Sequence, residues 1–569
     1  MSRRRRTTGA LGRFARRAVL AVLAVLAVLA VGAPASSSAQ LDAAKRAQIL
    51  IAGLDLDDAR RVLASADADD PRVLLERARL ALYELDCDGA AAILGRPEVE
   101  HADGGDQLAD IAHGCQRVTA ALAADRDPAR GIEVSWQDEH DRALAPLLFD
   151  TIAKAREALT RDLGVDWPLP TRVVVVRDLL SLSAMTGLPY ASAQTTGTVA
   201  VAKWGRVTLL SPRASHHGYP WRDTIAHELT HLAVTRASRD RAPLWLQEGV
   251  AKREEVRWRE PGPFDDRPPA EAVVQRGFEL GLTLPLDKLG PSIAMLPSAD
   301  AAMIAFAEVT SFVRYYAQMV ETVGGQAALP RLLAELRDGK DPDQALAAAS
   351  DIDLKGWDTK WRAYMATRPA VAVPSLLGLG AAHEAPREAD RLRDLRDRSR
   401  LAQLLLARGH APGAIEELDK IELSHAPVSN AGWDRATGDP SVRWLRGRAL
   451  EEVGRRDEAD PLMGDPAQVF SSYGPWWATR GRWARIRGEE PVALGSFSEA
   501  VAADPFGAEG ACETLDPGPP LAAASSPLAP SAVVPPKDRA NGGPNGANEA
   551  SVDLCAAARA AEGPPYDSD

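Results

Sequence analysis

The stretch DTIAHELTHLAV, Asp223 to Val234, sets two histidines and a glutamate into an otherwise small and apolar helical pattern. His227 and His231 are four residues apart, a spacing that brings both imidazoles to one face of an α-helix, one turn apart. Such a pair can bind one Zn²⁺ with bonds of ~2.0–2.1 Å. Glu228 stands one step round from His227, so its carboxylate reaches a water beside the ion rather than the ion itself. There it can act as general base, taking a proton from the water and passing it to a leaving amine. A catalytic zinc needs three protein ligands and an open fourth position. The third is expected on a nearby helix, and APLWLQEGVAKREE supplies Glu248, seventeen residues after His231. Two neutral imidazoles and one carboxylate leave the site with a charge of about +1, which suits a Lewis acid that polarises a carbonyl. The plainer alternative makes both histidines hydrogen-bonded core groups and Glu248 a helix-start carboxylate favoured by the dipole. Buried Glu and His side chains without partners would cost several kcal/mol, which weighs against it.

These residues need two helices and a scaffold to hold them. The patterns predict helices over Trp221–Arg236 and Leu244–Trp258, with Pro243 limiting the chain before the second and Gly249 leaving room for close helix approach. Upstream, GIEVSW alternates like a strand from Gly131, residues 140–162 read as a long amphipathic helix ending before Gly164, and TRVVVV, Thr171 to Val176, is a β-branched strand. TVAVAKWGRVTLLSP, Thr198 to Pro212, reads as two strands meeting at Gly205. Either Thr198–Trp204 or Arg206–Leu210 is a candidate sheet edge, to which an extended peptide could add by main-chain pairing. More helices follow from Asp300 to Met365. A mixed sheet followed by helices makes an α+β domain over residues 129–370. Residues 40–128 are helical in pattern, one or two hairpins with a turn at Asp86–Gly89, and are expected to form an N-terminal tetratricopeptide-like region.

Beyond residue 384 a period emerges. Gly447, Gly454 and Ala459 recur as Gly481, Gly488 and Ala493, each 34 residues later, and Gly409 and Ala414 repeat the last spacing one unit earlier, with an insertion between. This is the tetratricopeptide period, and residues 384–512 are expected to form such helical hairpins, with a concave face for a protein partner. Residues 513–569 form a largely disordered, Pro/Gly/Ala-rich tail.

The formal charge is −12, and the seven arginines of residues 1–39 conceal an even more acidic remainder of −19. Such a chain lacks the basic footprint of a nucleic-acid binder. Residues 1–39 read as a secretory signal: a positive n-region, the apolar run Ala18–Val31, then GAPASSSAQ with cleavage after Ala39. The apolar run is short for a membrane span, which takes roughly 20 residues, so no stable span is expected after cleavage. The expected location is a bacterial periplasm or the extracellular space. There the four cysteines, Cys87, Cys115, Cys512 and Cys555, can form two disulfides. Pairing of neighbours, Cys87–Cys115 and Cys512–Cys555, is preferred; buried free thiols are the alternative.

The segments AHELTHLAV and PLWLQEGVA resemble the gluzincin peptidases, and in particular the peptidase MA-like family of bacterial proteins that join this core to tetratricopeptide-like repeats. The likeness extends from Gly131 to Ala370. TGLP at Thr186–Pro189, LLSP at Leu209–Pro212 and FAEVTSFVRYYAQMVETVGG downstream are similar to that family too. The resemblance implies a thermolysin-like zincin core with one zinc ion on His227, His231 and Glu248, with Glu228 as base, acting on a peptide or protein substrate. One departure stands out. Members often carry a tyrosine at the start of the downstream helix, where its phenol could stabilise an oxyanion, and this chain has Phe306. Loss of one such donor can cost ~10²–10³ in turnover. Tyr315, Tyr316 or His217 could take the role, against the plainer expectation of aromatic packing for the tyrosines and a solvated loop for His216 and His217. The alternatives to a secreted zinc metallopeptidase are a repeat scaffold with a weakly active or inactive zincin domain, and a zinc hydrolase acting on cell-wall material.

Overall fold

The computed structural model describes residues 36–506, except 101, 168, 215–218, 262–264, 266–267, 290–291, 325–326, 370–372, 374–378, 380–385, 407, 425–439 and 464–473, together with Cys555. The expected signal run Ala18–Val31, His216, His217, Cys512 and the tail from Pro517 to Ala550 lie outside the described residues. Among the described residues no helix is long and apolar enough to cross a membrane.

The described residues begin with α1 (Ser36–Ala52), α2 (Leu56–Ala64), α3 (Pro71–Tyr83), α4 (Cys87–Leu94), α5 (Pro97–Glu100) and α6 (Gly105–Thr119). The starts of α3 and α4 are set by side chains. Asp70 accepts from the Arg72 N–H with Pro71 just inside α3, and Asp86 accepts from the Gly89 N–H. Cys87 and Cys115 are bonded to each other and staple α4 to α6. Cys555 is disulfide-bonded as well.

The sheet comes next: β1 (Ala123–Asp127), β2 (Ile132–Trp136), α7 (Ala145–Leu163), β3 (Thr171–Val176), α8 (Leu179–Thr186), α9 (Tyr190–Thr196), β4 (Ala200–Lys203) and β5 (Arg206–Leu210). The strand order is β1-β2-β3-β5-β4. β2, β3 and β5 run parallel, with antiparallel β1 and β4 at the two edges. The unbroken valines of β3 follow from burial on both faces. Val173 and Val175 face the core shared with α7, and Val174 and Val176 pack with α3, α4 and α6. Two expectations change here. The N-terminal helices do not merely flank the α+β domain, because they form a layer on its sheet. Residues 40–128 also include a strand, β1, whose AADRD sequence carries no apolar alternation. Trp204 and Gly205 both take positive φ, 56° and 66°, and make the tight turn between β4 and β5. That hairpin leaves β4 at the edge and encloses β5, so Arg206–Leu210 is not the exposed strand.

Helices then take over: α10 (Trp221–Ser238), α11 (Leu244–Glu254), α12 (Ala270–Leu280), α13 (Ala299–Gly324), α14 (Ala328–Arg337), α15 (Pro342–Ser350) and α16 (Leu354–Met365). Their apolar faces join α7 and the sheet in one core that includes Trp221, Trp245, Phe312 and Trp361. The C-terminal part holds α17 (Pro386–Leu406), α18 (Ala411–Ser424), α19 (Pro440–Glu452), α20 (Arg456–Met463), α21 (Gly474–Ile486) and α22 (Glu490–Ala503). Gly409, Gly454 and Gly488, at φ of 72°, 80° and 78°, occupy the same turn in three successive hairpins. Ala414, Ala459 and Ala493, the small residues five positions on, are fully buried.

Candidate metal centre

The metal-binding candidates sit where α10 and α11 face each other. Asp223, in the first turn of α10, binds the Arg259 guanidinium at 2.8 Å and accepts from the Trp258 indole N–H at 2.9 Å, so the chain leaving α11 is tied back across the start of α10. Gly249 brings α11 against α13. A Cβ there would lie 2.3 Å from Val313 Cγ2 and 2.6 Å from the Val309 carbonyl oxygen, so any side chain would drive Glu248 out of place.

His231 Nε2 lies 3.3 Å from His227 Nε2, and Glu248 Oε2 lies 3.5 Å from each. A tetrahedral ion with bonds of ~2.0–2.1 Å spaces its ligands by about 3.3–3.4 Å. The three donors therefore form one face of a zinc-sized tetrahedron, and their chemistry, two nitrogens and one oxygen, is a zinc donor set. The three side chains are 12%, 15% and 13% exposed, which shields the site from bulk water yet leaves an approach. Glu228 groups with the two histidines within 4.8 Å. It is buried, and the Ala202 N–H on edge strand β4 acts to lower its carboxyl pKa.

Sequence reasoning missed one partner. Glu255 Oε2 accepts from His227 Nδ1 at 3.1 Å and is itself held by Lys252 Nζ at 2.8 and 2.9 Å. Its signal was present, since Glu255 is seven residues, nearly two helical turns, beyond Glu248 and so on the same face. A carboxylate behind a ligating imidazole fixes its tautomer and orientation. Replacing Glu255 by Gln is expected to lower zinc affinity by about 10–100-fold, measured by competition against a chromophoric chelator.

The electrostatics favour a cation. Burial alone would lower the His227 imidazole, but Glu248 and Glu255 outweigh it and raise it to about 9. Burial likewise works to raise Glu248, yet His231 and His227 hold it well below the usual carboxylate range. Glu255 is brought down to about 2 because Lys252 and His227 overcome its burial. Burial raises Glu228, against the pull of His231 and His227. With both imidazoles neutral, as metal ligands are, Glu228, Glu248 and Glu255 against Lys252 leave a formal charge of about −2, which one divalent ion neutralises.

Phe306 packs against His227, ring centroids 6.4 Å apart, and offers no donor. Tyr315 and Tyr316 do not replace it. They lie nine and ten residues further along α13, roughly 14–15 Å along the axis. Tyr315 stacks at 4.8 Å on Tyr364, and Tyr316 meets Trp357 at 5.1 Å, edge to face and fully buried. Both are packing residues between α13 and α16.

Residues 190–367 match the family model of the peptidase MA superfamily. The matched segment contains both helices of the site and begins at Tyr190, later than the Gly131 expected from sequence. The match supports a metallopeptidase-like role and a zincin-like relationship for this part of the chain. No curated protein and no solved structure matches the chain.

Proposed function

We propose that the chain is a zinc-dependent peptidase of gluzincin type, exported to the periplasm or beyond, with one Zn²⁺ held by His227, His231 and Glu248. The observation that carries this is the donor triangle with sides of 3.3, 3.5 and 3.5 Å. A bound zinc ion supplies Lewis acidity, lowering the pKa of water and polarising the scissile carbonyl. Glu228 takes the proton of the attacking water and returns it to the leaving nitrogen. Glu255 with Lys252 fixes the His227 ring. The outer edge of β4, beside Glu228, receives the substrate as an added strand. The test is zinc content measured alongside cleavage of a broad peptide library by the purified wild-type protein. Stoichiometric zinc with peptide products supports the reading, and zinc with no peptide product sinks it.

Export rests on the arginine-rich start and the apolar run of residues 1–39. The mature N-terminus is expected at Gln40 by mass spectrometry of protein recovered from the periplasm or medium, and recovery of the intact start there would refute cleavage.

Phe306 favours a second reading. With the phenyl ring of Phe306 rather than a phenol against His227, turnover is slow, and the C-terminal hairpins, read as tetratricopeptide-like repeats, carry the function by recruiting a protein partner. Equal biological activity of wild type and Glu228→Gln would support this second reading.

A further inference from the structure

The C-terminal hairpins touch the catalytic domain at the point where the chain enters the metal-binding helix. The end of α22 supplies two contacts. The Ala503 carbonyl oxygen accepts from the Tyr219 N–H at 3.0 Å. Phe506, 8% exposed, lies under the Arg213 guanidinium at 5.5 Å. Val501 and Phe506 belong to the same core as Tyr219 and Trp221, and so does Cys555.

The residues gripped are themselves junctions. Tyr219 donates its phenol to the Leu210 carbonyl at the end of β5. Its own carbonyl accepts at 2.6 Å from the N–H of Trp221, the fully buried first residue of α10. Arg213 binds Asp138 at 2.6 Å and the buried Asp141 at 2.7 Å, and Ser211 donates to Asp141 at 2.8 Å. Sheet, metal helix and C-terminal hairpin therefore meet in one packed, hydrogen-bonded joint. His227 is six residues beyond Trp221, about 9 Å along the axis. α10 is stiff over that distance, so a tilt at Trp221 moves His227 and Glu228 relative to Glu248 and Ala202. Metal and catalytic groups tolerate displacements of only about 0.5 Å.

We propose that the hairpin α21–α22 is a positioning element of the metal centre. Phe506 and Ala503 act through Arg213 and Tyr219 to fix the start of α10, and whatever engages the hairpin is felt at the metal. This rests on the metal site argued above. It makes the C-terminal module part of the catalytic machinery, beyond any role in recruitment.

The test uses the full chain with Phe506→Ala, Phe506→Leu, which keeps most of the apolar volume, and a control, Leu494→Ala, on the exposed side of α22. Zinc affinity is read by chelator competition, and hydrogen exchange is followed at the Tyr219 amide, with Val174 in β3 as the internal reference. Phe506→Ala is expected to weaken zinc binding by about tenfold or more and to speed Tyr219 exchange by at least about tenfold. Phe506→Leu is expected to fall between, Val174 exchange to stay unchanged in it, and Leu494→Ala to match wild type. If Phe506→Ala unfolds the domain, Phe506→Leu decides. Zinc affinity and Tyr219 exchange both within twofold of wild type in the folded Phe506 variant would overturn the proposal. Absence of zinc binding by wild type would instead defeat the metal site, and Tyr219 exchange would still judge the joint.

Discussion

Replacing Glu228 by Gln is expected to remove peptide hydrolysis by about 10²–10⁴-fold, the usual contribution of a positioned general base, while zinc stays bound. The two side chains have nearly the same shape, so the substitution leaves the packing around position 228 in place. His227, His231 and Glu248 keep their places, because none of them depends on Glu228 for a hydrogen bond that the structure records. What disappears is a buried carboxylate able to hold a proton between water and leaving group. Steady-state kcat/KM on a cleaved library peptide, with zinc content measured on the same sample, reads the result. Activity within tenfold of wild type at full zinc occupancy would take the base assignment away and favour the scaffold reading.

Replacing Glu248 by Ala is expected to cost more zinc affinity than the 10–100-fold loss typical of an outer partner such as Glu255. It removes one of three direct donors and leaves only two imidazoles, 3.3 Å apart, to hold the ion. Two measurements follow from the same change. Chelator competition gives the affinity. Thermal melts with and without zinc give the linkage, since a ligand at a hundred times its Kd stabilises the folded state by about 2.7 kcal/mol. Wild type should gain that increment and Glu248→Ala should lose most of it. A variant that binds and is stabilised like wild type would show that the third ligand lies elsewhere.

The candidate donors were legible because their arrangement is local. His227 and His231 share one helix face by spacing alone, with Glu228 one step round, and Pro243 and Gly249 flag how the next helix starts and how closely it must pack. β3 was legible because a strand covered on both faces has to be apolar throughout. β1 was not, since AADRD lies on a polar edge where burial imposes no alternation. The placement of α3 to α6 on the sheet depends on which surface covers Val174 and Val176, and periodicity within each helix does not encode that partner. Tyr315 and Tyr316 illustrate a related limit. Two phenols near an active-site helix suggest chemistry, yet turn angle and axial distance assign them to packing against Trp357 and Tyr364. The joint between Phe506 and Arg213 links residues almost three hundred positions apart, and neither carries a local signature of the contact.

The central claim is one zinc ion shared by two imidazoles of α10 and one carboxylate of α11. Anomalous diffraction at the zinc edge, on crystals of wild-type protein grown with zinc, tests it most directly. The account predicts a single strong peak ~2.0–2.1 Å from His227 Nε2, His231 Nε2 and a Glu248 oxygen. A map without a peak there, or with zinc held by other residues, would contradict it.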